Sequence, residues 1–131
     1  MLLDAFSSDA IPLHLLTREA LRLYLNKLND SGILLFHISN RYLNLAPILK
    51  TLGDDAGLIC RMREDFDVDE SSEYYVGKSP SICVAMARHE SVIRQLFDAG
   101  PYWYWYEIEM GEKKAPLWTD DFSNILSVFQ W

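Results

Sequence analysis

The sequence opens with MLLDAFSSDAIPLHLLT, residues Met1 to Thr17, and this stretch decides the fold. Its apolar start, Met1 to Leu3, runs into Asp4, and a loop of small and polar residues then leads to Thr17, where a helical pattern begins. In an open α/β sheet, ligands bind at the carboxyl ends of the strands, so Asp4 is a candidate functional residue. A buried strand normally has roughly five or more residues. We therefore expect the complete strand to begin before Met1.

The residues after Thr17 predict a parallel β-α-β unit. The apolar side chains of Leu21, Tyr24, Leu25 and Leu28 recur at helical spacing, and Thr17 is the predicted N-cap. The run ILLFHI, residues 33–38, is continuously apolar, which is typical of a strand covered on both faces. The carboxyl ends of both strands are therefore expected at one edge of the sheet.

Polar residues follow the second strand as they follow the first. The segment Ser39-Asn40-Arg41 comes directly after the apolar run. Asn40 and Arg41 either cap the next helix or pair with a surface acid, or they contact a ligand. His37 lies inside the strand, and we expect it to be a hydrogen-bonded core histidine rather than a catalytic residue.

The rest of the chain alternates between strand-like and helix-like patterns. Pro47 suits the first turn of the second helix, which we expect to end between Gly53 and Gly57. The predicted elements are a helix over Leu45–Leu52, a half-exposed strand over Leu58–Met62, a strand over Ser81–Ala87, a helix over Glu90–Phe97, a β-prone aromatic run over Tyr102–Met110 and a helix over Pro116–Trp131 capped near Thr119. The aromatic run is expected to cover a core or a subunit contact.

Composition limits the functional classes. The 131 residues fit one domain, 1–131, and 12 basic against 19 acidic residues give a net charge of −7, which argues against nucleic-acid binding and is compatible with a cationic ligand. The acidic run Glu64–Glu73 is expected to be a solvated loop, or alternatively a lid that attracts a polycation.

The two cysteines and the hydropathy indicate a cytoplasmic protein. Cys60 and Cys83 lie in apolar runs without metal-ligand spacing, so we expect reduced core thiols and no metal site. We expect no signal peptide and no membrane span, because no apolar run approaches the roughly 18 residues that a span requires.

The residues 4–45 and the tail WTDDFSNILSV resemble the C-terminal half of spermidine-synthase-like proteins. These are polyamine aminopropyltransferases built on the fold of S-adenosylmethionine-dependent methyltransferases. The resemblance implies an α/β fold, a partial Rossmann-like, methyltransferase-type three-layer sandwich with a mixed sheet, of which this chain forms the C-terminal half only.

The resemblance also implies roles for individual residues. Asp4 corresponds to the catalytic aspartate, which binds the amine as an ammonium and accepts its proton. Ser7, Ser8 and Asp9, with Pro12, correspond to the loop that closes over a polyamine-type substrate, and Asn40 and Arg41 are further candidates for substrate contact. The donor would be decarboxylated S-adenosylmethionine or S-adenosylmethionine.

The family's glycine-rich nucleoside-binding loop has no counterpart here, because the six glycines form no cluster. We therefore expect the isolated chain to bind no cofactor and to be inactive until an N-terminal half completes it. The alternatives are a non-catalytic interaction module, or part of a methyltransferase. Because the sheet lacks neighbours at the first strand, a homodimer is the expected assembly if the missing half is not its partner.

Overall fold

A computed structural model of the protein describes residues 1–4, 13–39, 43–65, 81–99 and 104–128. The strands are β1 (Leu2–Asp4), β2 (Ile33–His37), β3 (Ile59–Asp65) and β4 (Ser81–Ala87), and the helices are α1 (Arg18–Lys27), α2 (Ala46–Asp55) and α3 (Glu90–Ile93). Short 3₁₀ segments cover Leu13–Leu15, Arg94–Ala99 and Ile125–Val128.

The predicted parallel unit at the start of the chain is confirmed. β1 pairs in parallel with β2, and Asp4 lies opposite His37. Thr17 caps α1 as predicted, since its hydroxyl oxygen accepts a hydrogen bond from the backbone N–H of Ala20 at 3.2 Å. Leu21 is buried, and Tyr24 packs half-buried against the same core. The helix therefore presents its apolar stripe to the sheet.

The four strands form one mixed, open sheet in the order β1-β2-β4-β3. β4 runs antiparallel to both of its neighbours, so β1, β2 and β3 share one direction. The fold is therefore α/β, and the expected mixed sheet is present. The carboxyl ends of β1, β2 and β3 meet the start of β4 at one edge, which we call the carboxyl edge.

α2 ends at Asp55, between Gly53 and Gly57 as expected. Pro47 lies in the first turn, also as expected, and the helix continues through Gly53 to Asp55. A Cβ atom on Gly53 would overlap the sulfur of Cys60, so this glycine permits close packing of α2 on β3 rather than ending the helix. Gly57 terminates the helix in a left-handed backbone conformation, with a φ of 70°. The N–H of Leu58 then donates a hydrogen bond to the Gly53 carbonyl at 2.8 Å.

The core is divided between the two faces of the sheet. The α1/α2 face carries the larger cluster, in which Leu34, Phe36, Val84 and Met86 are buried beneath the two long helices. The α3 face carries a smaller cluster, in which Ala85 and Ala87 pack against Val92, Ile93 and Trp105. Cys60 and Cys83 form no disulfide; Cys60 is buried on the first face and Cys83 is half-buried on the second.

In its described residues, 104–110, the aromatic run covers the core, one of the two roles expected for it. These residues form one bridge, between Tyr106 and Met62, and no longer strand. The run crosses the edge of the sheet, because Trp105 joins the smaller core and Ile108 the larger one.

The predicted tail helix is replaced by a turn and a short 3₁₀ segment. Thr119 and Phe122 close the turn, and the Thr119 hydroxyl accepts the N–H of Phe122 at 3.1 Å. Phe122 is 54% exposed, so the expected apolar helix face does not form. Buried Trp118 anchors the tail, and its carbonyl accepts the N–H of Arg18 at 2.9 Å.

α3 is also shorter than the helix predicted over Glu90–Phe97. Its α-helical part ends at Ile93, and the 3₁₀ segment Arg94–Ala99 continues the path. Among the described residues, none of the helices is long and apolar enough to cross a membrane.

Candidate functional site

The carboxyl edge brings together residues that differ in chemistry. By strand register, Asp4 is opposite His37, His37 is opposite Cys83, and Cys83 is opposite Arg63. Asp4, His37, Cys83 and Arg63 thus occupy one row of paired backbone positions across the four strands. The ends of parallel strands are where open α/β sheets bind ligands, so this row lies where a site is expected.

His37 is held by hydrogen bonds within this edge. Its Nε2 lies 2.7 Å from the Ser39 hydroxyl oxygen, which accepts the backbone N–H of Ile82, also at 2.7 Å. The hydroxyl therefore links the end of β2 to the start of β4. His37 is half-buried and hydrogen-bonded, in agreement with the predicted structural role, whereas sequence reasoning did not anticipate the contribution of Ser39.

The charged residues at the end of β3 are also paired. Arg63 and Asp65 approach to 3.2 Å, and both side chains are largely buried, with 16% and 14% of their surfaces exposed. An ion pair that is partly shielded from water orients both groups more firmly than a surface pair does. Asp65 belongs to β3 instead of the solvated loop that the acidic run predicts.

A cavity of about 460 Å³ opens at the same edge, on the α1/α2 face. It lies between the start of α2, the ends of β2 and β3, and the segment 106–109. Polar and apolar atoms contribute about equally to its walls, and the polar lining groups are Asn44, Glu64, Tyr106 and Glu109. A concave cavity with several converging polar groups is a candidate small-molecule site.

The electrostatics of this cavity are acidic. Partial burial, followed by a hydrogen bond to Glu64, holds the pKa of Tyr106 above its ordinary value. Tyr106 therefore remains a neutral donor to the Glu64 carboxylate at physiological pH. Glu109 adds a second carboxylate to the lining, so the cavity favours a cationic group over an anionic one.

The start of α2 does little to offset this acidity. Pro47 has no N–H to offer, and the N–H of Ala46 is directed to the side-chain oxygen of Asn44 at 3.3 Å. Helix starts bind anions through free N–H groups, and this first turn has few of them.

The predicted site residues fall mostly outside the described parts of the chain. Asp4 ends β1, as predicted. Ser7, Ser8, Asp9, Pro12, Asn40 and Arg41 lie outside the described residues, so their predicted roles stay predictions. Within the described ranges, no group of three or more His, Cys, Asp or Glu side chains could hold a metal ion.

The cavity was missed from the sequence. Its key pair, Glu64 and Tyr106, is distant along the chain and meets because Met62 and Tyr106 form a bridge. The alternation of acidic and apolar residues in YEIEM, residues 106–110, was the available signal, since it exposes acids beside a buried isoleucine.

Comparison of the chain with protein-family models, with curated proteins and with solved structures finds no match.

Proposed function

We propose that this chain is the C-terminal half of a spermidine-synthase-like aminopropyltransferase, in which the Asp4 carboxylate binds the amine substrate and accepts its proton. The resemblance of the opening segment motivates the proposal. The observation that carries it is the position of Asp4 at the carboxyl end of β1, within the parallel β1-α1-β2 unit. The mixed sheet is compatible with the C-terminal half of a methyltransferase-type, Rossmann-like fold.

A carboxylate suits the chemistry at this position. An alkyl amine has a pKa of about 10 and is protonated at neutral pH, so it cannot attack until it loses a proton. The carboxylate binds the ammonium and takes the proton as the amine nitrogen attacks the carbon beside the sulfonium. The new carbon–nitrogen bond forms as the carbon–sulfur bond breaks, and the neutral thioether leaves with the bonding electron pair.

The donor side of the reaction requires residues that this chain does not supply. Its six glycines, at positions 32, 53, 57, 77, 100 and 111, form no nucleoside-binding loop. We therefore propose that the donor, decarboxylated S-adenosylmethionine or S-adenosylmethionine, is bound by an N-terminal half. The isolated chain is then inactive.

The exposed start of β1 supports a second candidate, a non-catalytic dimerisation or interaction module. Met1 and Leu2 are 44% and 66% exposed on a strand whose described partner is β2 alone. Such an edge can pair with another strand, from the missing half or from a second copy. A methyltransferase remains an alternative by fold analogy alone.

Calorimetric titration tests the proposal. The isolated chain is titrated with S-adenosylmethionine, its decarboxylated form and methylthioadenosine, and each titration is repeated with Asp4→Asn. We expect no donor to bind measurably to either protein. Tight donor binding by the isolated chain would contradict the division of the site between two halves.

A further inference from the structure

Two neighbouring cavities lie along the start of α2. The cavity of about 460 Å³ at the carboxyl edge and a second cavity of about 570 Å³ share Asn44, Pro47 and Glu109 in their linings. We call the two cavities together the α2 groove. It runs between the first turn of α2 and the segment 106–116, and it ends beside Val128.

The two ends of the α2 groove carry opposite charges. Glu64 lines the first end, Glu109 lies where the two cavities meet, and Lys113 and Lys114 line the second end. The pKa of Asp55 is lowered mainly by Arg18 and to a smaller extent by Lys114, so Lys114 also faces Asp55. Among the ion pairs formed by the described residues, none uses Glu109 or Lys113.

The lining between these charges includes several apolar residues, together with the polar Asn44. Ile108 belongs to the first cavity and Ala115 and Val128 to the second, while Pro47 belongs to both. Ile108 and Val128 are buried members of the larger core, so the floor is fixed by packing. An aliphatic chain can lie on such a floor while charged groups at its two ends remain near water.

We propose that the α2 groove binds a zwitterionic ligand, in which a short alkyl chain separates an ammonium group from a carboxylate. The ammonium is held by Glu64 and Glu109, and the carboxylate by Lys113. A diamine would bring its second ammonium next to Lys113, and a simple carboxylate would leave the glutamates without a cation. The proposal does not depend on the transfer reaction proposed for the carboxyl edge.

An NMR titration with three linear alkyl compounds of matched length tests which charges the ligand needs. ε-Aminocaproate carries both charges, hexamethylenediamine two positive charges, and caproate one negative charge. We expect ε-aminocaproate to give saturable shifts of the methyl groups of Ile108 and Val128, one in each cavity. The methyl groups of Val92 and Ile93, under the opposite face of the sheet, should not move. Hexamethylenediamine and caproate should bind more weakly than ε-aminocaproate by about threefold to tenfold.

Charge variants extend the test without disturbing the core, because Glu109 and Lys113 are exposed. Glu109→Gln should weaken ε-aminocaproate binding by about threefold to tenfold, and Lys113→Glu should reverse the preference in favour of the diamine. Glu112→Gln and Lys27→Gln are matched controls on exposed residues outside the groove lining and should leave the affinity unchanged.

The same charges occur in a free ω-amino acid and in a peptide that ends in lysine. A lysine-terminated tripeptide and its C-terminal amide therefore form a further pair of probes. Tighter binding of the tripeptide than of ε-aminocaproate, lost on amidation, identifies a peptide terminus, and the reverse order identifies a free amino acid. Absence of saturable shifts with all zwitterions, or equal binding of the diamine, would overturn the proposal.

Discussion

The two faces of the sheet use the same strands and are covered to different extents. On β2, Leu34 and Phe36 are buried under α1 and α2, whereas Ile33 and Leu35, which alternate with them, are half-buried on the α3 face. β1 shows the same contrast, because Leu3 packs against the larger core and Leu2 is exposed. The α1/α2 face therefore contributes most of the buried apolar core, and the α3 face leaves part of its strands exposed.

The largest expected effect compares neighbouring residues of β2. Phe36→Ala should lower the free energy of unfolding by about 3–5 kcal/mol, because it leaves a cavity in the larger core. Leu35→Ala should cost only about 1–2 kcal/mol, because Leu35 is half-buried. Urea denaturation followed by circular dichroism measures both changes. Equal losses would mean that the α3 face is as fully covered in solution as the other.

A second substitution tests how closely α2 approaches the sheet. Gly53→Ala should lower the free energy of unfolding by about 1–3 kcal/mol through overlap with the Cys60 sulfur, although alanine favours helices. Adding Cys60→Ala should restore part of the loss. Gly111→Ala is the control, since a Cβ there meets nothing within 4 Å. A stabilised Gly53→Ala protein would show that the packing is looser than described.

Substitution of Thr17, the N-cap of α1, tests how much its hydrogen bonds contribute to holding the C-terminal tail against the α1/α2 face. The Thr17 hydroxyl accepts the Ala20 N–H and donates to Asp120 at 2.7 Å. Thr17→Ala should cost about 1–2 kcal/mol, and Thr17→Ser, which keeps the hydroxyl, clearly less. Chemical denaturation of the two variants provides the comparison. Equal losses for both would assign the effect to the methyl group.

The smallest expected effect is a difference in alkylation rate between the two cysteines, which lie on opposite faces of the sheet. Burial raises the pKa of the Cys60 thiol to about 12, whereas Cys83 is half-buried. Iodoacetamide at pH 8 should therefore modify Cys83 before Cys60, as read by peptide mass spectrometry, and Cys60 only after unfolding.

The same shift in pKa gives a stability change with pH. Because the folded pKa of Cys60 is raised, its contribution to stability is complete below the ordinary thiol pKa of 9.0 and is lost as the pH rises toward about 12. Cys60→Ala should remove this part of the alkaline destabilisation. Modification of Cys60 as fast as Cys83 in the folded protein would contradict the assigned burial.

Local patterns predicted the first half of the fold well. The spacing of apolar residues and the Thr17 cap act between neighbours in sequence, so α1, β2 and their parallel pairing with β1 followed from them. The antiparallel insertion of β4 between β2 and β3 did not, because strand order depends on contacts between distant segments. The tail helix failed because the Thr119 oxygen closes a turn to Phe122.

In the candidate site, too, features set by neighbouring residues could be predicted, and features set by contacts between distant segments could not. The position of Asp4 could be predicted, because the change from apolar to polar residues marks a strand end within a few residues. The pairing of Glu64 with Tyr106 and the opposite charges of the α2 groove could not, since they require β3 and the 106–116 segment to meet. The remaining predicted residues lie outside the described ranges.

An NMR titration with putrescine tests whether the carboxyl edge binds an alkyl ammonium through Asp4. We expect saturable shifts of the Asp4 and His37 amides, with an affinity that falls by about tenfold or more in Asp4→Asn and is unchanged in Asp98→Asn, an exposed acid in another part of the chain. Equal affinity of the wild-type and Asp4→Asn proteins, or shifts confined to the α2 groove, would contradict binding through Asp4.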